Sequence, residues 1–222
     1  MCGIAGIVDI KARRDIDRGA MDRMTRALAH RGPDGEGFYI EPGLGFGHRR
    51  LAIIDETGGQ QPFTATGGTV LCYNGEIYNF QRLQSEIAAS GRTLKTRSDT
   101  EVLGELLDLR GSDALPRLQG MFAFAAWDPR DETLILARDR LGEKPLYTYF
   151  TDDGFLLFAS ELDALLASQI MPRKIDQTAV ADYLYYGYVP DPKTIYRHIH
   201  KLPPAHELVI RRGRELCAPR RW

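Results

Sequence analysis

The segment that most constrains the fold is a nearly continuous apolar run over residues 121–127, Met-Phe-Ala-Phe-Ala-Ala-Trp. A strand that faces solvent on one side alternates apolar and polar residues, whereas a run without alternation is typical of a strand buried on both faces. Layers of structure must then cover both faces. We therefore expect this strand to lie inside a layered domain.

Short strand patterns and a few helical patterns surround this run. Strands are predicted over 2–9, 36–40, 45–54, 69–73, 133–138, 145–150 and 155–160, and helices over 17–30, 79–90, from Ser98 onward with a capping box, and over 161–168 and 177–186. The tail predicts one hairpin, with 207–210 turning at Arg212-Gly213. Strands, a helical pair, more strands and a second helical pair favour an α+β arrangement of two packed sheets with helices outside.

Composition excludes several classes of protein. The 29 basic and 30 acidic residues leave a net charge of −1, which argues against nucleic acid or a membrane as a partner. No apolar run approaches the roughly 18 residues of a membrane span, and no signal peptide is evident, so we expect a cytoplasmic protein. The three cysteines form no Cys-x-x-Cys pair, and we expect neither a disulfide framework nor a metal site.

Cys2 is the first candidate for chemistry. Removal of Met1 would place a thiol and a free amine on one residue, and amide hydrolysis needs a nucleophile together with a base. The alternative is that Cys2 packs as a small apolar residue at the start of a strand.

Five segments put Cys2 in context. They are MCGIAG at 1–6, HRGPDG at 30–35, GHRRLAIID at 47–55, YNGEIYN at 73–79 and RSDTE at 97–101. Their order and spacing resemble the glutaminase domain of the class II glutamine amidotransferases, and within that class the asparagine synthetase family. The resemblance continues through 120–125, 138–142 and 158–162.

The resemblance implies an N-terminal nucleophile hydrolase fold, a four-layer αββα sandwich of mostly antiparallel sheets. It implies a glutaminase domain over 2–190 and a C-terminal extension over 191–222 that leads to an absent ATP-dependent synthetase domain. The implied reaction is hydrolysis of L-glutamine to L-glutamate and ammonia through a thioester on Cys2. The ammonia then passes to a second active site.

The resemblance also assigns roles to individual residues. Asn74 and Gly75 are the expected oxyanion donors, through a side-chain amide and a backbone N–H. The alternative is that Asn-Gly forms a hairpin turn.

Glutamine itself carries a carboxylate and an ammonium group. Arg50 is expected to bind the carboxylate, and Asp99 the ammonium, with help from Glu76. An acid in the first turn of a helix also needs no ligand, which is the alternative for Asp99. Backbone groups of Leu51, Ala52, Ile53 and Ile54 are expected to line the pocket. Arg49 is expected to be solvated, and Arg31 is a candidate to assist the thiol.

The chain lacks the Ser-Gly-Gly-x-Asp-Ser loop with which asparagine synthetases bind pyrophosphate. We therefore expect no cofactor in this chain, and ATP and Mg²⁺ are implied for the synthetase domain as partner. Two alternatives stay open: an amidotransferase of a surface-polysaccharide or protein-sorting pathway, and a catalytically silent docking domain. The sequence leaves a homodimer open. It predicts an ordinary charged turn over 138–147, which includes Arg138, Asp139, Arg140 and Lys144; the alternative is that these residues face the synthetase domain or an ammonia passage.

Overall fold

A computed structural model describes residues 1–52 and 59–222 of the chain. The strands are Gly3–Asp9 (β1), Gly35–Glu41 (β2), Leu44–Arg50 (β3), Phe63–Thr64 (β4), Val70–Ile77 (β5), Gly120–Asp128 (β6), Thr133–Arg138 (β7), Tyr147–Phe150 (β8), Phe155–Ala159 (β9), Ile199–Lys201 (β10), His206–Arg211 (β11) and Arg220–Arg221 (β12). The helices are Arg18–Ala27 (α1), Phe80–Ala89 (α2), Asp99–Arg110 (α3), Leu162–Ala167 (α4) and Gln177–Tyr186 (α5), with a 3-10 helix over Gly111–Arg117.

Within the described residues the strands form two six-stranded sheets. The first sheet has the order β10-β8-β9-β1-β3-β2 and the second β12-β11-β7-β6-β5-β4. Neighbouring strands pair antiparallel in both sheets. β1 and β6 therefore lie inside their sheets and not at an edge.

The central strand β6 is buried on both faces, as its sequence predicts. Phe122 and Phe124 face a cluster that includes residues of α2 and α3, whereas Ala123, Ala125 and Trp127 face the core between the two sheets. Side chains alternate between the faces of a strand, so one apolar run supplies two cores.

Three apolar layers connect the elements. One lies between the sheets, one between the second sheet and helices α2 and α3, and one between the first sheet and helices α1 and α4. The order of layers is thus helix, sheet, sheet, helix, and the predicted αββα sandwich is confirmed. None of the described helices is long and apolar enough to cross a membrane.

The structure corrects several predicted boundaries. β5 runs to Ile77, so Asn74 and Gly75 lie within a strand and the hairpin-turn alternative is wrong. β3 ends at Arg50, whereas the predicted strand continued to 54; residues 53–58 lie outside the described residues. The capping box is only half formed, because Ser98 Oγ accepts from Thr100 N at 3.1 Å while Glu101 binds the backbone of Lys95 and Thr96.

The sequence did not predict β4, β10, β12 or the 3-10 helix. Strands of two or three residues are too short to display alternation, and long-range pairing alone specifies them. The tail does turn at Arg212-Gly213, but β11 pairs with Arg220–Arg221 and not with the residues that follow the turn. The predicted boundary at residue 190 stays a prediction, although β10 and β11 are strands of the two sheets.

A histidine joins the two sheets close to the end of β3. His48 is buried between them, and its Nε2 lies 3.1 Å from the carbonyl oxygen of Tyr73 in β5. Burial lowers the pKa of His48 to about 4; the hydrogen bond to Tyr73 opposes this shift, and the positive charge of Arg50 adds to it. The neutral ring therefore donates its Nε2–H across the interface.

This burial predicts a pH dependence of stability. The folded pKa of about 4 lies below the ordinary value of 6.5, so acid protonates the unfolded chain first and stability falls as the pH drops from 6.5 towards 4. Between pH 7.5 and 4.5 we expect wild type to lose about 2 to 3 kcal/mol more unfolding free energy than His48→Gln, measured by urea denaturation. His198→Gln, at an exposed position, is the control and should follow wild type. Equal losses in wild type and His48→Gln would contradict the assignment.

Candidate active site

A pocket lies at the start of β1 and the start of α3, close to the ends of β3 and β5. Its lining residues are Met1, Cys2, Arg50, Leu51, Gly59, Gln61, Tyr73, Asn74, Gly75, Glu76, Ser98, Asp99, Thr100, Met121 and Lys144. Seven of the residues singled out from the sequence are among them: Cys2, Arg50, Leu51, Asn74, Gly75, Glu76 and Asp99. Ala52 is not, and Ile53 and Ile54 lie outside the described residues.

Strand alternation explains why Cys2 and Asn74 share this pocket. In β1, Ile4 faces the core between the sheets, and Cys2, two residues earlier, has the same parity. In β5, Cys72 faces that core from the other sheet, and Asn74 follows it by two residues. Residues two positions apart in a strand point to the same face. Cys2 therefore points towards the second sheet, and Asn74 points towards the first.

The sulfur of Cys2 is held by the backbone at the end of β3. Leu51 N lies 3.4 Å from Cys2 Sγ, and Leu51 O lies 3.6 Å from it. Burial raises the pKa of the Cys2 thiol, and Asp99 adds to this effect. The Leu51 N–H, the terminal ammonium and Arg50 act in the opposite direction but do not cancel it. Cys2 is therefore a protonated thiol at neutral pH, and a base must remove its proton before it attacks.

Arg31 holds the backbone of Cys2 and not its sulfur. Its Nε donates to Cys2 O at 2.9 Å, and its Nη1 donates to Glu161 at 2.7 Å. Gly32 makes this position possible: a Cβ there would lie 2.3 Å from the carbonyl carbon of Arg49, so only glycine lets the turn approach the end of β3. The predicted assistance to the thiol is thus replaced by a contact that fixes where Cys2 lies.

The side-chain amide of Asn74 is available to a ligand. Asn74 is buried, and among the described residues neither its Nδ2 nor its Oδ1 has a hydrogen-bond partner. A buried polar group without a partner costs about 1 to 3 kcal/mol. This arrangement is typical of a site that completes its hydrogen bonds only with a bound molecule.

Gly75 contributes a backbone N–H to the same pocket. The N–H groups of Tyr73 and Ile77 point away from β6, to Gln61 Oε1 at 2.6 Å and to Asp99 Oδ2 at 3.0 Å. Alternate residues of an antiparallel strand direct their N–H groups the same way, so that of Gly75, midway between them, also points away from β6. A Cβ at Gly75 would lie 2.2 Å from Met121 O, so glycine is required here by close packing and not by unusual backbone angles.

Asp99 is the first residue of α3 and is buried in the pocket wall. Its Oδ2 accepts from the hydroxyl of Tyr73 at 2.8 Å as well as from Ile77 N. Burial raises the pKa of Asp99, and these hydrogen bonds oppose the shift. A carboxylate that only stabilised the helix dipole would be exposed to solvent, whereas this one is directed into the pocket by two strand residues.

The three remaining charges differ in their surroundings. Arg50 and Glu76 line the pocket, and Ser98 Oγ and Arg50 Nη2 both lie close to Gly59. Arg49 was expected to be solvated, but its side chain is only 19% exposed and pairs with Glu36 at 2.5 Å.

The backbone of 51–52 is already engaged. The N–H of Leu51 binds the sulfur of Cys2, and that of Ala52 donates to Asp34 Oδ2 at 2.9 Å. Leu51 therefore contacts the thiol group directly. The expected contact of Ala52 with glutamine stays a prediction.

Sequence reasoning missed several members of the pocket wall. The Gln61 side chain binds the backbone N–H of Tyr73, and the Tyr73 hydroxyl binds the carboxylate of Asp99. The alternation of side chains along β5 could have revealed that Tyr73 faces α3. The 138–147 segment was expected to be an ordinary charged turn. Instead, Asp139 is buried and accepts backbone N–H groups from Phe122, Leu141, Glu143 and Lys144.

The arrangement supplies what acyl transfer requires. It combines a thiol, two hydrogen-bond donors for an oxyanion, and a cation and an anion that can bind a zwitterion. Among residues 1–52 and 59–222 no cluster of three or more His, Cys, Asp or Glu side chains could hold a metal ion.

Comparisons with known proteins agree with this geometry. Residues 1–222 match the family model described as glutamine amidotransferase domain. The chain is 40% identical over 214 residues to asparagine synthetase [glutamine-hydrolyzing] 3 of Bacillus subtilis (strain 168). This match covers 95% of this chain and 35% of that protein. It is 38% identical over 186 residues to asparagine synthetase B [glutamine-hydrolyzing] of Escherichia coli (strain K12), covering 83% of this chain and 33% of that protein.

A solved structure shares the fold. The glutamine phosphoribosylpyrophosphate amidotransferase of B. subtilis superposes with a TM-score of 0.70 at 22% identity, over 99% of this chain and 49% of that one. The chain thus spans about a third of the length of the asparagine synthetases that it matches and half of this structural neighbour. Since its whole length matches the family model, the chain belongs to the glutamine amidotransferase domain family.

Proposed function

We propose that this chain hydrolyses the side-chain amide of L-glutamine with Cys2 as nucleophile and supplies the ammonia to an asparagine-synthetase-type, ATP-dependent amidation. The observation that carries the proposal is the buried Asn74 amide, which lines the pocket of Cys2 without a hydrogen-bond partner among the described residues. Such a donor has its use when a negative oxygen forms beside the thiol. A docking module would have no need of it.

The chemistry follows from the groups in the pocket. With Met1 removed, the α-amine of Cys2 takes the thiol proton as Sγ attacks the amide carbon of glutamine. The carbonyl oxygen becomes an oxyanion that accepts from Asn74 Nδ2 and Gly75 N. The C–N bond then breaks, and the α-amine returns the proton so that ammonia leaves.

Water completes the cycle. It adds to the thioester carbon, its proton passes to the α-amine, and the C–S bond breaks to release glutamate and restore the thiol. Arg50 binds the α-carboxylate of glutamine and Asp99 its ammonium. The raised pKa of the Cys2 thiol supports this scheme, because a protonated nucleophile requires a base beside it.

The use of the ammonia belongs to a second domain. The relatives that share 40% and 38% identity are named as glutamine-hydrolysing asparagine synthetases, and this chain spans only about a third of each. We propose that a synthetase domain is the partner and that it holds the ATP and Mg²⁺. The expected cytoplasmic location and the question of a homodimer stay predictions.

Replacement of the nucleophile tests the proposal directly. In chains with Met1 removed, Cys2→Ala should reduce the release of glutamate from glutamine to background, because no other described side chain in the pocket carries a thiol. Cys217→Ala, at an exposed cysteine, is the matched control and should retain wild-type activity. Equal glutamate release by wild type and Cys2→Ala would refute the nucleophile and leave the docking alternative.

Removal of the oxyanion donor should affect the rate more than binding. We expect Asn74→Ala to lower kcat by about 10²- to 10³-fold with a small change in KM, because the lost hydrogen bond forms chiefly in the transition state. Asn79→Ala is the control: its amide binds the backbone of Arg117 and Gln119, so that variant should affect stability and leave kcat unchanged. An Asn74→Ala enzyme with wild-type kcat would remove the assigned role.

A further inference from the structure

Lys144 is a pocket residue to which neither the motifs nor the proposed chemistry gives a role. Its side chain lines the pocket beside Met1 and Cys2, and the residue is only 5% exposed. Among the described residues its Nζ has one polar neighbour, Met1 Sδ at 3.1 Å, and no ion-pair partner. A thioether is a weak acceptor, so a buried ammonium with three donors lacks a strong partner here.

The position of Lys144 is fixed by its backbone. Lys144 N donates to Asp139 Oδ2 at 3.0 Å, and Lys144 O accepts from Arg138 Nε at 2.8 Å. The same Asp139 oxygen accepts from Phe122 N at 3.1 Å, and Phe122 is paired with Gly75. The loop that carries Lys144 is thereby tied to the strand next to the oxyanion donors.

The neighbour of Lys144 is the residue that maturation removes. Loss of Met1 takes away the thioether and creates an α-amine on Cys2 in the same pocket. Lys144 and Cys2 line the same pocket. A positive charge beside an amine disfavours its protonated form.

The other charges around Cys2 are mostly engaged. They are Arg31, which pairs with Glu161; Asp99, which accepts from Tyr73 and Ile77; and Arg50 and Glu76, which line the pocket. The two carboxylates favour a protonated amine and Arg50 disfavours it. Of the two buried cations nearest the N-terminus, Arg31 contacts Cys2 O and is paired with Glu161, whereas Lys144 contacts Met1 and has no ion-pair partner among the described residues.

We propose that Lys144 is a positioning residue whose ammonium keeps the α-amine of mature Cys2 neutral and able to accept the thiol proton. The inference rests on the proposed function, since the amine matters there as the base. Free α-amines titrate near pH 8, so a neighbouring cation increases the fraction that is neutral at physiological pH.

The pH dependence of glutamine hydrolysis tests this role in chains with Met1 removed. We expect Lys144→Met to move the acid limb of kcat/KM to higher pH by about one unit, since loss of the like charge makes the amine easier to protonate. Lys144→Arg keeps the charge and should leave the limb near its wild-type position. Lys174→Met, at an exposed lysine, is the control and should match wild type.

A spectroscopic titration makes the test independent of activity. The chain has three cysteines, so ¹³C-cysteine labelling gives few signals, and the Cα shift of Cys2 reports the charge of its amine. The midpoint should rise in Lys144→Met and, if that variant fails to fold, in Lys144→Gln. An unchanged midpoint in the folded variant would overturn the role of Lys144. Absence of glutamate release by wild type would instead refute the proposed function, while the titration still decides the effect of Lys144.

Discussion

The structure depends on the face-to-face packing of its two sheets. Alternation assigns every second side chain of β1 and β5 to the shared core, and the same alternation, continued to the strand ends, sends Cys2 and Asn74 into one pocket. The His48 contact with the carbonyl of Tyr73 joins the sheets beside that pocket. The site is therefore an extension of the core, and the packing that stabilises the domain also aligns the groups.

Burial then determines the electrostatics of the site. It raises the pKa of the Cys2 thiol, raises that of Asp99 and lowers that of His48, so a neutral thiol lies in the pocket and a neutral imidazole lies between the sheets beside it. A neutral imidazole that donates to a backbone carbonyl is not positioned to act as base for Cys2. We therefore propose the terminal amine as the base, and the contact of Arg31 with Cys2 O holds the backbone of that residue in place.

Much of this could be predicted from the sequence, and the reasons for the gaps are physical. The unbroken apolar run of β6 and the helical patterns predicted the layers of the fold. The order of the motifs predicted seven residues of the pocket. The Asn74-Gly75 pair illustrates the limit: locally it favours a hairpin turn, yet pairing with β6 over the full length of β5 overrides that preference. Lys144 was predicted only as part of a charged turn, because its burial depends on hydrogen bonds of Asp139 that join the 138–144 loop to Phe122 of β6.

The central claim is that the α-amine of Cys2 serves as the base. The most direct measurement compares glutamate release by the chain with Met1 removed and by the same chain carrying one uncleavable residue before Cys2, each N-terminus verified by intact mass. The account predicts activity in the first and background release in the second, with the same circular dichroism spectrum. Equal activity in both would contradict the α-amine mechanism.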